Sequence, residues 1–246
     1  MDPIKEFEKE CTKRVKSYPV NDRLVQGAQT FTRESIKSRY CYNFSWLGRP
    51  VIQYPQDLIA LQEILWKVKP DLIIETGIAH GGSLIFLASM LELIGGEGEV
   101  LGIDIDIRPH NWGEITQHPM SKRITMIEGS SIDDKVVAKV REFTKNKKSV
   151  LVVLDSSHVH DHVLRELEIY TPFVTLGNYC IVFDTYIENY TDEFNKEYPY
   201  HCWTGDNPQT AVREFLSNNE TIMVDKSVQD KLLITAAPGG YLKRMK

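Results

Sequence analysis

Apolar positions fall first at helical spacing and then in short blocks. Ile4, Phe7, Cys11 and Val15 recur every three or four residues among charged side chains, which predicts a helix with one apolar stripe. A second amphipathic piece around Leu24, Val25, Ala28 and Phe31 follows the capping types Asn21 and Asp22, and an irregular stretch runs over 42–50. From there the chain alternates. The pattern predicts helices over 55–68, 83–94, 132–144, 159–170 and 207–216, and short apolar strands over 71–76, 99–103, 124–127, 150–154 and 179–183. Strands buried on both faces and separated by helices form a parallel sheet with helices on either side. Two last strands, near 221–224 and 231–236, are joined too briefly for a helical crossover and are expected to pair antiparallel. The expected architecture is a doubly wound, Rossmann-like α/β domain over residues 51–246 with a helical cap over residues 1–50.

Composition narrows the class. With 246 residues, 42% hydrophobic and 26% charged, the chain reads as globular, neither disordered nor fibrous. A net charge of −5 gives no general attraction to nucleic acid or anionic lipid. The 4 cysteines are dispersed and form no C-x-x-C pair, so reduced thiols are expected. The charged N-terminus lacks a leader-like apolar region, and no stretch approaches a membrane span, which points to a cytoplasmic protein.

The sharpest local feature is Glu75-Thr76-Gly77-Ile78-Ala79-His80-Gly81-Gly82-Ser83, a glycine-rich turn between the first strand of the alternating region and an apolar helix. In a doubly wound sheet this turn lies at the carboxyl edge, where ligands bind. Its G-x-x-x-G-G spacing is neither the dinucleotide fingerprint nor the P-loop, which disfavours a nicotinamide dehydrogenase. Glu75 would repel phosphate but could hold an ammonium group. Asp104, at the end of the next strand, is placed to accept hydrogen bonds from ribose hydroxyls, whereas Asp106 reads as a solvated loop charge. Together these describe a pocket for an amino-acid-bearing nucleoside, the shape of S-adenosylmethionine (SAM). The alternative is that the glycines serve only tight strand-to-helix packing. Ser130, after the third strand, could contact the adenine, and Ser131 could equally cap a helix.

The fourth and fifth strands end in Asp155 and Asp184, carboxylates that could share a hard divalent cation such as Mg²⁺. His158 and His162 would lie one turn apart on a helix, a metal-ligand spacing. The ordinary reading makes Ser157 an N-cap and His158 the helix start, with His158 still able to act as a base. No facial two-histidine, one-carboxylate pattern appears, which counts against an oxygenase. Tyr186, Tyr190, Tyr198, Tyr200, His201 and Trp203 crowd a long loop suited to a substrate wall or a contact between subunits.

The motifs NFSWLGRPVIQYPQD (43–57), DLIIETGIAHGGSLIF (71–86), GIDIDIRPHN (102–111), IEGSSID (127–133), LDSSHVHDHVLRELE (154–168), YCIVFDT (179–185), DNPQTAVREFL (206–216) and DKLLITAAPGGYLKR (230–244) resemble the cephalosporin hydroxylase / rhamnosyl O-methyltransferase family. The resemblance implies a class I methyltransferase fold, a seven-stranded sheet with its last strand antiparallel, and SAM as donor. It implies donor contacts from Glu75, Gly77, Gly81, Gly82 and Asp104 and Mg²⁺ held by Asp155 and Asp184, with Thr185 or water as a third ligand; Ser83, Ser130 and Asp155 are expected as further donor contacts. Asp155, His158 and Asp184 would carry the chemistry. It further implies a small-molecule or sugar acceptor and a homo-oligomer, without nucleic acid or a membrane span. An iron-dependent hydroxylase, after the family's other label, and a non-catalytic assembly subunit stand as alternatives.

Overall fold

The computed structural model describes residues 2–189 and 205–246. The N-terminal helices are α1 (Pro3–Ser17) and α2 (Asp22–Lys37). Asp2 caps α1 by accepting from the Ile4 amide at 3.0 Å, and Asn21 caps α2 through the Leu24 amide at 3.2 Å. A two-stranded antiparallel hairpin follows, β1 (Phe44–Trp46) and β2 (Arg49–Val51).

The main sheet then assembles from β3 (Leu72–Thr76), β4 (Glu99–Asp104), β5 (Ile124–Glu128), β6 (Val150–Leu154), β7 (Tyr179–Val182), β8 (Ile222–Val224) and β9 (Tyr241–Arg244). Its order is β5-β4-β3-β6-β7-β9-β8, and β9 alone runs against its two neighbours. The intervening helices are α3 (Pro55–Val68), α4 (Gly82–Ile94), α5 (Pro109–Gln117), α6 (Asp134–Thr144), α7 (His160–Tyr170), α8 (Pro208–Ser217) and α9 (Lys226–Leu232). This is the expected seven-stranded, doubly wound sheet with its last strand antiparallel.

Side-chain alternation divides the core in two. Ile73, Leu151, Val153 and Ile181 point to the face covered by α3 and α4, against Leu61, Leu65, Phe86 and Leu87. Leu72, Ile74, Val152 and Val182 point to the other, against Val140 of α6, Leu167 and Tyr170 of α7, and Phe215 of α8. Buried on both faces, β3 and β6 carry no polar alternation, which is why each reads as a continuous apolar block.

Several boundaries depart from expectation. The strand expected over 231–236 is not there. Asp225 caps α9 through the Ser227 amide at 3.2 Å, so the apolar residues at 232–234 end a short helix, and the antiparallel partner of β8 lies further on at Tyr241–Arg244. Ser157 is not the cap of α7: Val159 holds that position and His158 stays in the preceding loop. Ser131 caps no helix either, since Asp133 caps α6 through the Lys135 amide at 2.8 Å. Helix α5 and the β1–β2 hairpin occupy stretches without a clear pattern. Tyr190, Tyr198, Tyr200, His201 and Trp203 lie outside the described residues. Among the described residues no helix is long and apolar enough to cross a membrane.

Candidate active site at the switch of strand order

Strand order reverses between β3 and β6, and the two strands diverge into loops at their carboxyl ends. Over this point lies a cavity of about 260 Å³ whose wall includes Gly77, Ala79, Asp104, Asp155, His158 and Asp184. Gln53, Tyr54 and Tyr186 close it from the hairpin side and from the segment after β7.

The glycine turn is held from several directions. Gly77 (φ 90°) and Gly81 (φ 81°) sit in backbone regions that suit glycine. A Cβ on Gly77 would overlap the Asp155 carbonyl, one on Gly81 the Ile115 side chain, and one on Gly82 the Pro50 carbonyl. Each glycine therefore also admits a close protein neighbour. Asp104 Oδ2 accepts from the Ile78 and Ala79 amides at 2.7 and 3.2 Å, and its Oδ1 accepts from the Asp106 amide at 3.1 Å. A carboxylate has about four acceptor positions, so capacity for a ligand hydroxyl remains. The Arg49 guanidinium donates to the His80 carbonyl at 3.0 and 2.7 Å and to Asn111 Oδ1 at 2.9 Å, and Asn111 donates to the Ala79 carbonyl at 2.8 Å.

Beside this turn stand three acids, Glu75 buried and Asp155 and Asp184 half-buried. Glu75 is 2% exposed, and among the described residues its Oε2 has no hydrogen-bond partner. Burial pushes its carboxyl up to about 8, opposed in part by the Ser83 hydroxyl. Burial likewise raises Asp155 well above the ordinary carboxylate range; the charges of Asp184, Glu75 and Asp57 add to this, and a hydrogen bond from Gln53 opposes it. That bond runs from Gln53 Nε2 to Asp155 Oδ2 at 2.9 Å. Asp184 takes a positive φ of 57°, and its Oδ2 lies 3.2 Å from His158 Nδ1.

The residues singled out in the sequence thus fall into groups. Gly77, Asp104, Asp155, His158 and Asp184 meet at one cavity, while Glu75, Gly81, Gly82 and Ser83 stand outside its wall, in and beside the turn. Ser130 is also outside the wall. Thr185 is buried, and its hydroxyl donates to the Pro238 carbonyl at 2.9 Å. His158 and His162 do not converge: His162 Nε2 lies 3.1 Å from Ser131 Oγ and 3.6 Å from Glu166 Oε1. Among the described residues no three His, Cys, Asp or Glu side chains gather into a metal-binding group. Sequence reasoning missed Gln53, Arg49 and Asn111. Each acts through contacts distant in the chain, and only their placement inside the quoted motifs, Arg49 and Gln53 in 43–57 and Asn111 in 102–111, hinted at a role.

Comparison with known proteins agrees with the fold. The family model described as rhamnosyl O-methyltransferase/CmcI matches residues 38–245. The rhamnosyl O-methyltransferase of Mycobacterium tuberculosis (strain ATCC 25618 / H37Rv) is 27% identical over 241 residues, covering 90% of this chain and 92% of that protein. The protein of the same name from Mycobacterium leprae (strain TN) is 28% identical over 206 residues, covering 81% and 82%. Among solved structures, apo CmcI superposes with a TM-score of 0.59 at 19% identity, covering 83% of this chain and 77% of that one. The Mg-SAM form of CmcI gives 0.59 at 20%, covering 83% and 78%. At such identities the structural likeness is one of fold. The family model spans most of the sequence, including every residue that lines the cavity except Ile36, and the chain belongs to the rhamnosyl O-methyltransferase/CmcI family.

Proposed function

We propose that this chain is a SAM-dependent O-methyltransferase that methylates a hydroxyl of a small or glycosidic acceptor with the help of Mg²⁺. The observation that carries the reading is the single cavity over the strand switch, walled by the glycine turn, Asp104, Asp155, His158 and Asp184. Curated relatives carry the name rhamnosyl O-methyltransferase, and CmcI has been crystallised with Mg and SAM, which supports a sugar-type acceptor and both ligands.

The residues present fit these groups. Glu75 offers a buried carboxyl with an oxygen left unpartnered, which an ammonium beside it would ionise and satisfy. The charge of Asp184 adds to the cost of ionising Asp155, a cost a shared divalent cation would remove. SAM supplies an electrophilic methyl group, and Mg²⁺ supplies Lewis acidity toward the acceptor hydroxyl. The chain does the rest. Asp104, fixed by the turn amides, would orient the nucleoside, and Asp155 and Asp184 would hold the cation at the adjoining strand ends. Asp184 Oδ2 lies 3.2 Å from His158 Nδ1, and a proton held on Nδ1 by that carboxylate would leave Nε2 as the nitrogen able to take the hydroxyl proton. Holding donor and acceptor in line contributes most of the rate, about 7–11 kcal/mol in well-oriented systems.

The reading treats residues 1–50 as a helical cap on a methyltransferase domain over 51–246. It describes a cytoplasmic protein that self-associates, supported by the free thiols of Cys11, Cys41 and Cys180 and by the exposed apolar side chains of Ile59, Trp66 and Leu93. The test is transfer of labelled methyl from SAM to a panel of rhamnosyl and other glycosides. Transfer that depends on Mg²⁺ and is lost in chelator supports the reading; iron-dependent oxygen uptake without transfer would favour the hydroxylase.

A further inference from the structure

Gln53 sits between the hairpin and α3, is 5% exposed, and lines the same cavity as the two carboxylates. Its amide nitrogen faces Asp155 Oδ2 at 2.9 Å, while among the described residues its amide oxygen is buried without a partner. A buried carbonyl oxygen left unpaired costs about 1–3 kcal/mol, so its retention at the floor of a binding cavity calls for a ligand.

Resting on the reading of Asp155 and Asp184 as a cation pair, we infer that Gln53 is the neutral third member of that site, its amide oxygen ligating the cation. Octahedral ligation at about 2.0–2.1 Å places neighbouring oxygens about 2.9 Å apart. That is the separation already set between the Gln53 amide and Asp155 Oδ2. A half-turn of the planar amide exchanges nitrogen for oxygen at the same position. The turn gives up the amide N–H bond to Asp155 and moves the amide N–H groups to the side where the oxygen had no partner, a cost the cation contact has to exceed. In the cation-free chain the amide nitrogen donates to Asp155; with the cation bound, both oxygens face one positive charge. The neutral donor also limits the site to two formal negative charges, matching a divalent ion without further repulsion in a crowded acidic floor.

The test is calorimetric titration of Mg²⁺ into the full chain saturated with S-adenosylhomocysteine, with Mn²⁺ binding followed in parallel by electron paramagnetic resonance. Gln53→Met keeps the volume and removes the ligand; cation affinity should fall about 10–100-fold while S-adenosylhomocysteine affinity stays within about twofold. Gln53→Glu should bind the cation more tightly than the wild type at pH 8, and it carries the test if Gln53→Met melts early. Wild-type affinity in Gln53→Met, or weaker binding in Gln53→Glu, overturns the inference. A wild type that binds S-adenosylhomocysteine but no cation also overturns it, leaving the donor site standing. A wild type that binds neither overturns the parent reading.

Discussion

The two halves of the cavity are built on opposite principles. On the β4 side, the glycine turn is saturated with bonds: Asp104 takes the Ile78 and Ala79 amides, and Arg49 with Asn111 takes the Ala79 and His80 carbonyls. On the β6 and β7 side, the charge of Asp184 burdens Asp155, and Glu75 Oε2 and Gln53 Oε1 lack partners among the described residues. One half is organised before any ligand arrives. The other stores unfavourable burial, which the proposed cation and ammonium would relieve, as where stability is given up for function.

That contrast is broken most forcefully by removing an acid. Asp184→Asn should lower kcat by about 10²–10³-fold, while the melting temperature holds or rises because a charge that burdens Asp155 is gone. Lost activity accompanied by a lowered melting temperature would contradict it. The saturated half should respond the other way. Gly82→Ala drives a Cβ into the Pro50 carbonyl and should cost about 3 kcal/mol in urea denaturation, since the hairpin must shift off the turn.

Titration separates the halves next. Glu75 keeps its proton in the folded chain up to about pH 8, whereas the unfolded chain releases it near 4.5. The folded state therefore holds more protons in that window, so stability falls as pH rises from about 4.5 to about 8 and levels above it. Asp57, raised to about 6 by burial, contributes only to the lower part. Glu75→Gln should flatten the slope between pH 6 and 8 by about 1–3 kcal/mol and weaken donor binding, both read by melts across that range. Smaller still is Arg49→Lys, which keeps the charge but loses the fork on the His80 carbonyl. The donor KM should rise about tenfold, or about 1.4 kcal/mol, with acceptor KM unchanged.

How much of this the sequence disclosed follows the same division. Apolar blocks such as 150–154 and capping signals such as Asn207 before Pro208 are local, and they placed the sheet and most helices within a residue or two. The region after residue 225 misled because its apolar positions at 232–234 mimic a strand, while the real β9 is specified by pairing with β7 and β8. The meeting of Asp104, Asp155 and Asp184 at one cavity was legible because strand ends in a doubly wound sheet share one edge, whereas Glu75 stands outside its wall. The supports were not. Arg49 bonds Asn111 across 62 positions and Gln53 bonds Asp155 across 102, and no local pattern encodes either. The glycines were legible as a turn, but their packing against Pro50, Ile115 and Asp155 needed the fold.

The central claim is that the organised half grips the donor nucleoside through Asp104. Calorimetric titration of S-adenosylhomocysteine into the wild type and Asp104→Ala, each checked for an intact melt, tests it most directly. The account predicts saturable binding by the wild type, weakened at least tenfold in the variant. Equal binding by the two folded proteins, or no heat with the wild type, would contradict it.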